Sequence, residues 1–277
     1  MRGSSPAKVT APFGRRNTPV LDRLEYGVYI VLRCRDADGP APRAGQFYML
    51  ASTERWGGGE AERPYLPRAF SVLRARRAAG GLLELEFLVE DVGPGSRRLC
   101  ELAAGDGLTL VGPLGSSFQP PRDGRRPLLV GGGVGIAPLA ILQDELGPGT
   151  PALLGFRDRS RAKGSALLDG ARVASDDGSV GYHGLVTELL EQELGQVHGP
   201  VEVYACGPPP MLEAVRLMCA EHETPAQLAL ESGMACGFGA CFGCVVATTD
   251  GYVRLCLDGP VLDASRLQSA AVAGAPH

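Results

Sequence analysis

The sequence predicts three units in series: an antiparallel β-barrel, a doubly wound α/β domain and a small cysteine-rich segment near the C-terminal end. Three observations lead there. Short β-rich apolar runs separated by Gly and Pro clusters occupy Tyr26 to Val111, the spacing of an antiparallel domain. Beyond the polar stretch Pro120 to Arg126 the pattern changes to strands alternating with helices, which calls for parallel βαβ units. Four of the eight cysteines then crowd between positions 236 and 256. That is too few for a disulfide scaffold and points to a metal site in a reducing compartment, hence a cytoplasmic protein. The expected boundaries are a loosely packed tail over 1–20, the barrel over 21–119, the α/β domain over 120–225, the cysteine segment over 226–265 and a second tail over 266–277.

The first two units rest on particular runs. Strands are expected at Tyr26 to Cys34, Gln46 to Leu50, Ala69 to Leu73, Leu82 to Val89 and Leu108 to Val111. One helical pattern interrupts them at Gly95 to Leu102, entered through Gly93 and Pro94; a helix that starts after glycines offers free amides to an anion. In the second unit the order is strand Pro127 to Val130, helix Ile136 to Leu146, strand Ala152 to Phe156, helix Leu185 to Leu194, strand Val201 to Tyr204 and helix Pro209 to Glu221. The third unit, Gln227 to Asp263, carries short β-like pieces at Val245 to Thr248 and Tyr252 to Leu257. Gly57, Gly58 and Gly59 read as a flexible loop tip, and the stretch before Asp22 as a frayed tail.

Composition removes whole classes of function. With 27 basic against 31 acidic residues the net charge is −4, so no overall basic field exists to hold nucleic acid. The uncharged apolar stretch Pro127 to Gln143 is broken by Gly and Pro and too short to span a bilayer. His183, His198, His222 and His277 sit in no hydrolytic arrangement. Cys34, Cys100 and Cys219 are isolated on apolar patterns, as packed thiols are.

Chemistry concentrates in a few motifs. Cys236, Cys241, Cys244 and Cys256 give C-x4-C-x2-C-x11-C, the plant-type spacing for a [2Fe-2S] cluster. Gly237, Gly239 and Gly243 would let the loop take positive φ and aim amides at sulfur. A structural zinc site or inert buried thiols are the alternatives. Gly131-Gly132-Gly133-Val134-Gly135 lies between a strand and a helix, where amides and dipole suit a pyrophosphate, though a plain tight turn reads the same. Tyr204-Ala205-Cys206-Gly207-Pro208 closes a second strand at the carboxyl edge of the same sheet. Arg68-Ala69-Phe70-Ser71 heads a barrel strand; Arg can pair with phosphate, an aromatic ring can stack on a flavin and a hydroxyl can bond its edge.

In this order, together with Gly112 to Phe118 (G-P-L-G-S-S-F) and the run E-S-G-M-A-C-G-F-G-A-C-F-G-C, the motifs resemble the ferredoxin reductase superfamily. Within it they are most similar to the electron-transfer subunits of class 1B dihydroorotate dehydrogenases, over about Tyr26 to Leu262. The resemblance implies a flavin (FAD) barrel, a nicotinamide-nucleotide (NAD) domain and a C-terminal [2Fe-2S] segment. Arg68, Ala69, Phe70 and Ser71 would hold the flavin, with Gly93, Gly95 and Ser96 at its pyrophosphate. Gly132, Gly133 and Gly135 would approach the dinucleotide, Cys206 and Gly207 would lie beside the nicotinamide, and Ser71 and Cys206 are the expected catalytic residues. Cys236, Cys241, Cys244 and Cys256 would ligate the iron. The chain departs from the pattern at Ala69, often Pro, at Phe70, Tyr in wider relatives, and in a long stretch from Thr53 to Pro64.

Arg157, Arg159 and Arg161 could dock the 2′-phosphate of NADP, whereas Asp158 suits a free ribose hydroxyl; the resemblance favours NAD. It also implies a partner, an FMN-bearing dihydroorotate dehydrogenase catalytic subunit in a heterotetramer, because a TIM barrel needs about 250 residues of its own. The rival readings are a subunit of an NAD(P)H:ferredoxin oxidoreductase or hydrogenase, and a non-catalytic zinc-structured interaction module.

Overall fold

The computed structural model describes residues 14–57, 64–122, 124–196 and 199–272. Gly58, Gly59, His198, His277 and most of the expected N-terminal tail lie outside them. Six antiparallel strands close a barrel: β1 (Arg16–Tyr26), β2 (Tyr29–Asp36), β3 (Phe47–Ser52), β4 (Arg68–Arg77), β5 (Leu83–Glu90) and β6 (Gly107–Leu114), in the order β1-β2-β5-β4-β3-β6. A single helix, α1 (Pro94–Cys100), links β5 to β6. The barrel core is mainly apolar; the rings of Tyr48 and Phe87 meet edge to face at 5.5 Å.

The first strand corrects the expected tail. It starts at Arg16, inside the 1–20 stretch, and pairs with both β2 and β6. Its sequence hides it, because most of its side chains are polar and at least partly exposed. Tertiary partners hold it instead: the Arg16 guanidinium donates to both oxygens of the buried Asp36 at 2.7 Å and to the Gly112 carbonyl at 2.6 Å. A forked donor matched to a carboxylate gains from both bonds at once.

The second unit is a seven-stranded sheet built from β7 (Arg126–Gly132), β8 (Ala152–Phe156), β9 (Arg172–Ser175), β10 (Tyr182–His183), β11 (Val201–Cys206), β12 (Ala226–Ala229) and an edge strand, Val261–Asp263. The order is β10-β9-β8-β7-β11-β12 and then the edge strand, which alone runs antiparallel. Between its strands run α2 (Ile136–Leu146), the short α3 (Arg159–Ala162), α4 (Val186–Leu194) and α5 (Pro209–Glu221). Leu129 and Leu154 face α2 and the barrel, while Leu128, Val130 and Val203 face α4 and α5. Apolar burial on both faces is what a parallel sheet requires.

The cysteine segment is not a separate module. Its first strand, β12, and its last belong to the nucleotide sheet, so the expected boundary at 225 runs through one continuous core. Between them lie a hairpin, β13 (Val245–Thr248) and β14 (Gly251–Arg254), and the short α6 (Leu255–Asp258); the edge strand is accordingly β15. The expected second tail also packs in part, with Leu267 and Ala270 buried and the Ala270 amide donating to Glu213 at 2.5 Å.

A buried polar knot ties the linker at the barrel boundary to this sheet. Glu202, 0% exposed, accepts from the Arg122 amide at 2.8 Å and from Gln227 at 3.0 Å; Gln227 accepts from the Gln119 amide at 2.8 Å. Removing the carboxylate would leave buried donors unsatisfied. Glu202→Ala should therefore cost about 1–3 kcal/mol in urea unfolding, against less than about 0.5 kcal/mol for the exposed Glu191→Ala.

Candidate functional site

Between barrel and sheet lies a cleft of roughly 1110 Å³, larger than the ~300–1,000 Å³ of a drug-sized pocket. The barrel side brings Arg68, Ala69, Phe70 and Ser71 from the start of β4, and Gly93, Gly95 and Ser96 from the entry to α1. The sheet side brings Gly132 and Gly133 from the end of β7. A third wall is the stretch from Leu230 to Ala235, which follows β12. Strand ends, a glycine turn and a helix start thus converge where ligands bind in open α/β sheets.

The barrel wall fits a phosphorylated flat cofactor. Arg68 spends one guanidinium nitrogen on the Leu66 carbonyl at 2.6 Å and presses the rest of its group against Gly95, where a Cβ would lie 2.6 Å from Nε. Phe70 is half-buried with its ring in the wall. Ser96 contributes differently from expectation: its hydroxyl accepts from the Val92 amide at 2.9 Å and donates to the Gly93 carbonyl at 3.1 Å. Its side chain therefore shapes the turn, leaving first-turn amides to face an anion.

Three expected site residues are not in the wall. Cys206 is 2% exposed at the end of β11, and burial, reinforced by the nearby Glu231, pushes its thiol well above its ordinary pKa. Such a thiol stays neutral and unreactive. Gly135 lies against it: a Cβ there would come within 2.5 Å of the Cys206 carbonyl carbon and oxygen. Gly135 and Gly207 thus let the two loops of the sheet edge nest together behind the cleft, and only Gly132 and Gly133 reach its surface.

Sequence reasoning passed over Glu231 and Ser232, although both stand in the E-S-G-M run. Both line the cleft, and the Ser232 hydroxyl is buried with no protein partner, as a group awaiting a ligand is. Burial pushes the Glu231 carboxyl up from 4.5 to about 7.

The four motif cysteines form two pairs at the end of this wall. Cys244 and Cys256 are buried with sulfurs 3.2 Å apart, while Cys236 and the exposed Cys241 lie in hydrogen-bonding contact. Burial opposes ionisation of Cys236, yet the amides of Cys241, Phe238 and Ala240 bring its thiol down to about 6. A two-iron cluster takes two thiolates per iron, which two such pairs could supply. Gly237 and Gly239 adopt φ 79° and 86° as expected. Gly243 does not; instead Phe242 takes φ 59°, its ring covered by the Arg254 guanidinium at 4.8 Å. The Gly243 amide still points at Cys241 Sγ, 3.4 Å away. A Cβ on Gly237 would meet Met49 of β3 at 2.5 Å, so the cysteine loop packs directly on the barrel.

Three comparisons with known proteins bear on the family and the fold. Residues 231–268 match the family described as the iron-sulfur cluster binding domain of dihydroorotate dehydrogenase B. A protein of Caldanaerobacter subterraneus subsp. tengcongensis named dihydroorotate dehydrogenase B (NAD(+)), electron transfer subunit, is 35% identical over 229 residues, covering 80% of this chain and 86% of its own length. One of the same name from Desulforamulus reducens is 36% identical, covering 73% and 80%. Among solved structures, that of an NADH-dependent reduced ferredoxin-NADP oxidoreductase overlays with a TM-score of 0.74 at 24% identity over 92% of this chain and 91% of that one, a likeness of fold.

The displaced pKa of Glu231 has a measurable sign. A carboxyl whose folded value exceeds its unfolded one adds stability below the unfolded value and loses it as pH rises through the folded one. Stability should fall between about pH 4.5 and 7 from this residue. Glu231→Gln should remove that dependence, gaining up to about 3 kcal/mol relative to the parent between pH 4 and pH 8 in urea unfolding.

Proposed function

The chain belongs to the family of dihydroorotate dehydrogenase B electron transfer subunits, and from that premise we propose that it carries electrons between NAD and a dihydroorotate-oxidising partner through FAD and a [2Fe-2S] cluster. One observation carries the reading: the wall formed by Leu230 to Ala235 runs straight into Cys236, so cleft and cysteine loop share a single stretch of backbone. When bound, FAD supplies the exchange between the hydride of a nicotinamide and the single electrons of an iron–sulfur cluster. Arg68 and the amides at Gly95 and Ser96 hold its phosphates, Phe70 stacks, and Ser71 and Ser232 offer hydroxyls to its edge. Gly132 and Gly133 admit the dinucleotide. Cys236, Cys241, Cys244 and Cys256 would hold the iron, with Phe242, Gly243 and Arg254 fixing the loop around them. Cys206 serves the packing of the glycine loops rather than the chemistry.

The partner is an FMN-bearing catalytic subunit, joined in a heterotetramer and working in the cytoplasm. The pairing is supported by an apolar rim beside the exposed Cys241: Phe242 is 62% exposed and Tyr252 80%, with Phe238 and Val245 nearby in sequence. The cytoplasmic setting is supported by the clustered thiols, which a reducing compartment keeps available to iron. No helix among the described residues is long and apolar enough to cross a membrane.

Cluster ligation is tested by chemistry: Cys241→Ser and Cys256→Ser should each lose iron and acid-labile sulfide together, while Cys34→Ser keeps both. Full retention in the first two variants would mean that the pairs do not ligate iron. Division of labour is tested with the purified chain carrying FAD and cluster. It should pass electrons from NADH to a dye, fail to oxidise dihydroorotate, and gain that activity on adding the catalytic subunit from the same source. Association with a ferredoxin in place of that subunit would favour the ferredoxin-linked reading.

A further inference from the structure

The cysteine loop carries no charge of its own. From Ser232 to Thr249 the sequence holds no acidic or basic residue, so any field acting on the loop is brought by side chains from outside that stretch. Charge matters there because a cluster held by four thiolates is an anion that becomes more negative when it takes an electron, and net charge is one of the quantities that set its reduction potential. This rests on the reading of the four cysteines as ligands of a [2Fe-2S] cluster.

Arg254, the last residue of β14, reaches in and is half-buried. Its guanidinium donates to the Gly239 carbonyl at 2.8 Å and lies 4.8 Å from the centre of the Phe242 ring. Gly239 stands between Cys236 and Cys241, Phe242 stands between Cys241 and Cys244, and Arg254 itself comes two residues before Cys256. The same side chain therefore touches the loop in both intervals between its successive cysteines. Gly239 in turn aims its amide at the Cys256 sulfur, so the residue that accepts from the guanidinium also faces a ligand. The acidic neighbours are placed differently. Asp258 accepts the Arg254 amide at 3.1 Å, Asp250 is exposed at the hairpin turn 3.9 Å from Arg266, and burial holds Glu231, ahead of the loop, toward its neutral form.

We propose that the Arg254 guanidinium sets the reduction potential of the cluster, its fixed charge favouring the reduced state. A guanidinium keeps its proton at any working pH, and partial burial weakens the screening that water and salt would give it. Asp258 stands beside it with the opposite sign and tempers the effect. The consequence for electron flow is direct: the electron that the cluster gains is one that the reduced flavin loses, so a more positive cluster potential draws electrons away from the flavin. Arg254 is thus a positioning residue with an electrostatic role as well as a support for the loop.

The test is a dithionite titration of the chain carrying FAD and cluster, with the reduced cluster read by electron paramagnetic resonance at fixed solution potentials, for the parent, Arg254→Lys, Arg254→Gln and Asp258→Asn. Arg254→Gln should lower the ratio of reduced to oxidised cluster at a given potential by roughly 10-fold, a midpoint about 59 mV more negative for one electron. Arg254→Lys keeps the charge without the planar fork and should shift the midpoint much less. Asp258→Asn, whose side-chain carbonyl can still accept the Arg254 amide, should shift it in the positive direction. A parental midpoint in Arg254→Gln with iron and sulfide intact would overturn the proposal. So would a shift in Arg254→Lys equal to that in Arg254→Gln, which would mean that loop geometry and not charge is at work. If Arg254→Gln loses its iron, Asp258→Asn decides: a positive shift supports the role of charge at this position, and a parental midpoint overturns it. A parent that binds neither iron nor sulfide would sink the cluster reading and this proposal with it.

Discussion

The pairing of β15 with β12 is the constraint on which the rest of the structure depends. Gln227, Leu228 and Ala229 align with Asp263, Leu262 and Val261, and the Leu230 amide continues the ladder by donating to the Pro260 carbonyl at 3.0 Å. The chain between these strands must leave the sheet edge and return to it, so the cysteine loop is pinned at both ends to a rigid parallel core. The same return brings Pro260 into the cleft and sets the Gly259 carbonyl and the Val261 carbonyl against Ser116 of the barrel. A single antiparallel edge thus fixes barrel, cleft and cysteine loop relative to one another.

Close backbone approach is used twice, to different ends. At the sheet edge, Gly135 lets two loops nest so that Cys206 is sealed behind the wall. At the cysteine loop, Gly237 lets the backbone pack against the Met49 side chain of the barrel. The first device builds the wall and the second seats the cysteine loop on the barrel. Phe242 shows the cost of the arrangement: an aromatic residue in left-handed backbone is disfavoured by about 1–2 kcal/mol. Arg254 offsets it by covering the ring and donating to the Gly239 carbonyl at 2.8 Å.

Burial decides which titratable groups take part. The same desolvation that silences Cys206 brings Glu231 near neutrality, because both sit where the low-dielectric core meets the cleft. At the opposite end of the cleft the acidic groups stay solvated, and pairing separates them. Asp158 is consumed by capping α3 and by Arg161, while Asp176 lines the cleft.

The sequence by itself determined the element types with strong local signals. Helix α2 at Ile136–Leu146, strand β8 at Ala152–Phe156 and helix α5 at Pro209–Glu221 fall where their periodicity puts them, and the cysteine spacing was legible because three of the four cysteines share one short loop. Other features were decided only by tertiary structure. β1 is a strand because Arg16 finds Asp36 twenty residues away, and β12 and β15 are sheet strands because they find each other across the cysteine loop. Both depend on partners distant in sequence, for which short polar or four-residue runs carry no periodic signal. The site follows the same division. Spacing named Arg68, Phe70, Gly132 and the four cysteines, but whether a side chain faces the cleft is a matter of which neighbour occupies it first. Folding turned Cys206 inward, bound Asp158 to a helix start and left Glu231 and Ser232 facing the ligand space, since only three-dimensional packing settles which polar groups are already satisfied.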